Sequence, residues 1–160
     1  DSLKTYTLTN RRVVYGGGGI TPDVFVPIDT TYYSDYYRDL IRTSTLTNFM
    51  TGYTDRNRKA FLRRYRTFDR FNEEFSFDDA TMEALKEAGE NNNVKFSEEQ
   101  YAISAAEIMR VMKGLVARDL WDMNEYYMVV NQDDGVISKA LSIINDQALY
   151  EKLLGYRKVQ

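Results

Sequence analysis

Three stretches of this sequence carry residue types that could do chemistry. The first is "VVYGGGGITPDVFV", Val13 to Val26, where four glycines in a row follow a short β-branched run. Such a run could cradle a phosphate. A phosphate loop of that kind needs Lys and then Ser or Thr directly after its last glycine, leading into a helix. Here Gly19 is followed by Ile20, Thr21 and Pro22. A dinucleotide fingerprint starting at Gly16 needs glycine where Thr21 stands, and a helix where Pro22 and the Val/Phe run favour a strand. Both nucleotide readings fail. The second stretch, "NQDDG" at Asn131 to Gly135, begins like a calcium loop, but Ser142 stands where the bidentate Glu belongs. Its Asp and Gly suit a turn better. The third is Ser138-Lys139. Neighbouring residues of a helix point about 100° apart, and nothing nearby offers an oxyanion hole, so a Ser-Lys dyad does not follow.

What is missing narrows the chemistry further. The chain of 160 residues has no Cys and no His. Disulfides, thiolate nucleophiles, His-based metal sites and Ser-His-Asp catalysis are therefore excluded within it. A carboxylate-only enzyme needs two acids facing each other, and no spacing points to such a pair. A net charge of -3 argues against general nucleic-acid binding, which needs a basic surface. No cofactor and no metal is expected. No apolar run approaches the ~20 residues of a membrane span, and no signal peptide is visible.

Two further patterns could bind rather than catalyse. "YYSDYY", Tyr32 to Tyr37, could stack a peptide or a glycan, although core packing is the commoner use of such rings. Residues 55–70 carry seven Arg or Lys against two Asp. Within them Arg56, Lys59, Arg63, Arg66 and Arg70 recur at helical spacing, opposite Phe61, Tyr65 and Phe68. Like charges so spaced destabilise a helix by a few tenths of a kcal/mol per pair. The acidic stripe Asp79, Glu83, Glu87 and Glu90, another protein or an anionic lipid would relieve that repulsion.

The elements that must position these residues read as mainly α. The spacing predicts a bundle of about five to seven helices behind a short extended or β-hairpin segment. Residues 1–30 form the extended part and 31–160 a helical domain. Tyr6 to Leu8, Val13 to Tyr15 and Val24 to Val26 read as strands, with a turn at Thr9 to Arg11. Ser34 can cap a first helix bearing Tyr37, Leu40 and Ile41. A second carries Leu46, Phe49, Met50 and Tyr53, with Gly52 as its stop. "DRNRKAFLRRYRTFDRF" reads as one helix from Asp55, and "DDATMEALKEAG" as another ending at Gly89. Ser97 to Gln100, "SEEQ", is a capping box that opens a helix to Leu120. Its Ala102, Ala105, Ala106 and Gly114 keep it slim. "VISKALSIIN" and "DQALYEKLLGY" are two more amphipathic helices.

The segment "DSLKTYTLTNRRVVYGGGGITPDVFV" resembles part of the carboxy-terminal processing (tail-specific) serine peptidases, closest to the long Bacteroides-type form. The places that match are Asp1 to Leu3, Arg12, Val14, Tyr15, Gly16, Gly17, Gly18, Gly19, Ile20, Pro22, Asp23 and Val24. "YTDRNR" (Tyr53 to Arg58) and "LVARDLW" (Leu115 to Trp121) are similar to the helical tail of such proteins. The match departs at Arg11, where the family pattern has Gly. If the turn needs a positive φ there, Arg costs about 1 kcal/mol and the loop lengthens. The resemblance implies a parent that cleaves cell-envelope proteins near their C-termini with a Ser nucleophile and a Lys base. Both lie upstream of the glycine run in such proteins. The expected partner is therefore the peptidase core, with its PDZ module, and the expected location is periplasmic or otherwise extracytoplasmic. This chain is expected to be non-catalytic, bracing that core, shaping its cleft or mediating self-association.

Overall fold

A computed structural model describes residues 3–17, 19 and 21–155. Strands β1 (Lys4–Tyr6) and β2 (Val13–Tyr15) pair antiparallel, with Lys4 opposite Tyr15 and Tyr6 opposite Val13. Thr7 closes the connecting loop from both sides. Its N–H donates to Arg12 O (2.9 Å), its carbonyl accepts from Arg11 N–H (3.1 Å), and its hydroxyl accepts from Arg12 N–H (3.0 Å). The chain reverses through Arg11 at φ +53°. The left-handed turn expected of a glycine is thus made by an arginine, whose guanidinium lies 5.9 Å from the Tyr6 ring centre.

The expected third strand at Val24 to Val26 does not form; the chain bends at Asp23 and Val24, and the stretch pairs with neither β1 nor β2. Pro22 and Pro27 flank it, and a proline has no N–H to give a ladder.

Six helices make up residues 29–132, which form one compact unit. They are α1 (Asp35–Arg42), α2 (Thr45–Arg64), α3 (Phe68–Glu74), α4 (Asp79–Asn91), α5 (Glu98–Leu120) and α6 (Met123–Val130). Helix α5 is central, and α1, α2 and α6 pack on it. Leu40, Leu46, Met50, Phe71, Ile108, Met112 and Val116 are fully buried between them. At 25 cal/mol per Å² of apolar surface removed from water, each contributes about 1.5–3 kcal/mol.

Several boundaries differ from the sequence reading, each for a local reason. Helix α2 runs straight through Gly52 instead of stopping there. Leu46 and Met50 on one side of the glycine and Thr54 on the other are all buried on one face, so packing outweighs glycine's roughly 1 kcal/mol helix penalty. Helix 55–71 is not one helix. It breaks at Tyr65 (φ −110°, ψ 86°), and Thr67 caps α3 by accepting from Arg70 N–H. Tyr65 is drawn inward there, edge-on to Phe71 and Phe75 at 5.6 and 5.9 Å.

Helix α4 ends two residues beyond Gly89. Asn93 takes the left-handed conformation (φ +59°), Val94 N–H donates to Gly89 O (2.8 Å) and Asn93 N–H to Glu90 O (3.0 Å). That is a Schellman closure with Asn in glycine's place, which explains the run "NNN". The stretch after Trp121 is a further helix, α6, capped by Asp122.

Residues 1–28 and 133–160 form the second compact unit. This grouping differs at its far end from the division into 1–30 and 31–160 expected from the sequence. Helices α7 (Gly135–Ile144) and α8 (Gln147–Leu154) belong with the N-terminal segment. Asp134 and Asp146 cap them by accepting from Ile137 and Leu149 N–H.

Candidate functional site

The hairpin loop of the 1–28/133–160 unit is tied to the end of α8. The last carbonyls of a helix lack partners and carry its negative pole. Arg12 donates to Leu153 O (3.0 Å) and Asn10 to Leu154 O (2.9 Å). The same Arg12 guanidinium pairs with Asp23 at 2.6 Å. One arginine thus fixes three segments at once: the loop, the Pro22-Asp23 corner and the C-terminus of α8. Behind this clamp lies a groove of about 270 Å³. Pro22, Val24 and Val26 line it together with Ala140, Ile143 and Leu153, and its polar side chains are those of Asp23, Lys139 and Tyr150.

The surface around the groove is strongly apolar. Helix α7 buries none of its residues; Val136, Leu141 and Ile144 are 50%, 55% and 60% exposed, and Phe25 is 79% exposed. A helix with so little charge normally has a partner on more than one side.

The residues of the N-terminal segment that mark the family resemblance fall in this unit, whereas the similar stretches Tyr53 to Arg58 and Leu115 to Trp121 fall in the 29–132 unit. Tyr15 is on β2 and exposed, while Pro22 and Asp23 line the groove. Gly16 N–H donates to Leu3 O at 2.7 Å. Gly17 has φ +84°, a conformation that favours glycine; a Cβ there would come within 2.9 Å of the end of the Leu3 side chain, which is exposed and free to shift. Gly19 has φ +114°. Asp1, Ser2, Gly18 and Ile20 lie outside the described residues.

The five basic residues are not one stripe. Arg56, Lys59 and Arg63 are on α2, Arg66 is in the turn, and Arg70 is on α3, paired with Glu74 at 2.9 Å. The break at Tyr65 separates them. The tyrosine stretch divides as well. Tyr36 and Tyr37 are buried, which pushes the Tyr36 phenol up to about 12 and that of Tyr37 higher still. Tyr33 stacks on Tyr37 at 5.7 Å, and only Tyr32 and Tyr33 keep exposed surface. A tyrosine platform for a ligand is reduced to those two rings.

A buried polar cluster escaped the sequence reading. Ser104, fully buried on α5, accepts from Ser34 N–H at 2.9 Å and lies 2.7 Å from both Tyr32 O and Ser34 Oγ. The Tyr32 carbonyl can only accept, so Ser104 gives it its proton and the Ser34 hydroxyl supplies the one between the serines. Ser34 Oγ in turn accepts from Tyr37 N–H, as expected of a cap. The capping box at α5 is only half formed. Ser97 accepts from Gln100 N–H, but Gln100 Oε1 accepts from Asp35 N–H (2.7 Å) and Tyr36 N–H (3.4 Å) instead of turning back to Ser97. The first-turn donors of α1 are better placed for it. This arrangement positions helices; it holds no nucleophile open to a substrate.

A sequence-family model described as "Family of unknown function (DUF8443)" matches residues 36–122, more than half of the chain. The chain belongs to DUF8443. No curated protein and no solved structure matches it. The DUF8443 span starts inside α1 and stops at the cap of α6, so it lies wholly within the 29–132 unit. Gln100, Ser104 and the core around α5 lie within the DUF8443 span, whereas their partners Tyr32, Ser34 and Asp35 precede it. The groove and the glycine run lie outside the matched span.

Proposed function

We propose that this chain is the non-catalytic helical region of a carboxy-terminal processing serine peptidase, and that the 1–28/133–160 unit is the surface it sets against the catalytic core. The observation that carries the proposal is the apolar exposure of that unit: Phe25, Leu141 and Ile144 stand in water on the same unit as the residues that resemble the peptidases. The outer edges of β1 and β2, which pair with no further strand among the described residues, support it, because unpaired N–H and C=O groups on a strand can be taken up by a neighbouring strand. The core would be extracytoplasmic, and the DUF8443 unit would brace it or shape access to its cleft.

The test has two arms. The chain alone is assayed against unstructured peptides, with no hydrolysis expected. The polypeptide that includes a core is then assayed with Phe25→Asp and Leu141→Asp, where cleavage is expected to fall at least about tenfold, the equivalent of ~1.4 kcal/mol. Robust hydrolysis by the chain alone, or full cleavage by the doubly substituted protein, would sink the proposal.

A further inference from the structure

The 29–132 unit carries two charge patches of opposite sign. On α2, Arg56, Lys59 and Arg63 are exposed and meet no carboxylate among the described residues; the α2 ion pair is Arg58 with Asp55. On α4, Asp79, Glu83, Glu87 and Glu90 are exposed. Among the described residues only Glu83 of these meets a cation, Lys86 of its own helix at 3.6 Å. The acidic side is dense. Burial and then the charges of Glu98, Asp79 and Glu83 push the Tyr101 phenol up. Helices α2 and α4 pack on each other, yet no ion pair among the described residues joins them. Among the described residues neither patch is neutralised by the other, and the Glu83–Lys86 pair is the one contact of either patch with an opposite charge.

The two patches match in spacing. Arg56, Lys59 and Arg63 are three and then four residues apart. Glu90, Glu87 and Glu83, taken against the chain direction, are also three and then four apart. Two antiparallel helices at a rise of 1.5 Å per residue would therefore bring each cation opposite a carboxylate, over about 10 Å. Between the charges the surfaces are slim. Ala60 is exposed on α2, beside the 43%-exposed Leu62, and Ala80 and Ala84 are exposed on α4. Small residues let two helix backbones come close, and closeness strengthens the ion pairs by excluding water.

We propose that the basic face of α2 docks antiparallel on the acidic face of α4 of a second copy of this chain, with Arg56, Lys59 and Arg63 opposite Glu90, Glu87 and Glu83. The proposal does not depend on the peptidase reading. It uses only the DUF8443 unit.

Sedimentation of the full chain tests it. The wild type associates at low salt, and association weakens at least about tenfold between ~0.02 M and ~0.5 M salt, as the screening length shrinks. R56E/K59E/R63E and E83K/E87K/E90K are each monomeric alone, with unchanged helix content by circular dichroism. Mixed one to one they associate again, because each then offers the charge the other needs. That rescue also shows both variants folded. A wild type that stays monomeric at low salt overturns the proposal. So does association that survives either reversal, which would place the contact on another surface. Capture of the α2 face by vesicles of anionic phospholipid, without self-association, overturns it in favour of a lipid partner.

Discussion

Arg11 is the clearest case of a residue at odds with its backbone. It holds φ +53° where the peptidase pattern has glycine, and that conformation costs a side-chain-bearing residue about 1 kcal/mol. Its guanidinium over Tyr6 returns roughly half of that. Arg11→Gly is therefore expected to stabilise the protein by about 0.5 kcal/mol and Arg11→Ala to destabilise it by a similar amount, both read from denaturant midpoints. The Ala variant keeps the strain and loses the ring contact, so equal effects of the two would show that φ is not the cause. The departure at Arg11 was visible in the sequence, and so was the role of Ser34 as a cap. Gln100 was not legible. A Ser-x-x-Gln spacing is satisfied by local capping, and nothing in it shows that α1 lies near enough to take the amide oxygen.

At the level of elements, the main helices were legible because their apolar period is strong, and their ends were less so. Gly52 and Gly114 show why. Both sit inside helices, and the pattern treats them alike. A Cβ on Gly52 would meet only the mobile end of Arg56 at 3.2 Å. Gly52→Ala should raise stability by about 0.5–1 kcal/mol through helix propensity alone. A Cβ on Gly114 would press on Tyr126 and Val130 of α6, each at 3.0 Å. Gly114→Ala should cost about 1 kcal/mol net, because overpacking outweighs the propensity gain. Thermal unfolding of the pair measures both signs. Gly114 does keep α5 slim, as its sequence suggests, whereas Ala102 and Ala106 face solvent.

Helix α4 carries a pH dependence. The Thr81 hydroxyl and N–H both donate to Asp78, which holds its carboxyl below the ordinary 3.8. A depressed carboxylate contributes stability that is complete above the unfolded value and is lost as pH falls through the lower folded value. Asp78→Asn should flatten the acid limb of the stability curve below about pH 4, with little change at pH 7. An unchanged acid limb would assign the dependence to other carboxylates.

Over the whole molecule, the mainly helical class and the small N-terminal hairpin were legible, and the grouping of α7 and α8 with that hairpin was not. Helical periodicity says that an element has an apolar face; it does not say which distant segment covers it. The grouping joins segments more than a hundred residues apart, through contacts such as Arg12 to Leu153 and the apolar groove shared by Val24, Val26 and Ile143. Among the described residues, the fully buried large side chains all lie in the 29–132 unit. A fragment of those residues is expected to melt cooperatively and to bind less of an apolar-surface dye than the full chain. A fragment that binds the dye more strongly would show that the other unit covers it. The capping of α1 by Gln100 has a consequence for the order in which this unit folds. Asp35 and Gln100 are 65 residues apart, and a helix as short as α1 is marginal by itself in water. The Asp35 and Tyr36 amides therefore gain their Gln100 partner only once α5 has packed on α1, and hydrogen exchange at those two amides is expected to report the opening of α5 from α1.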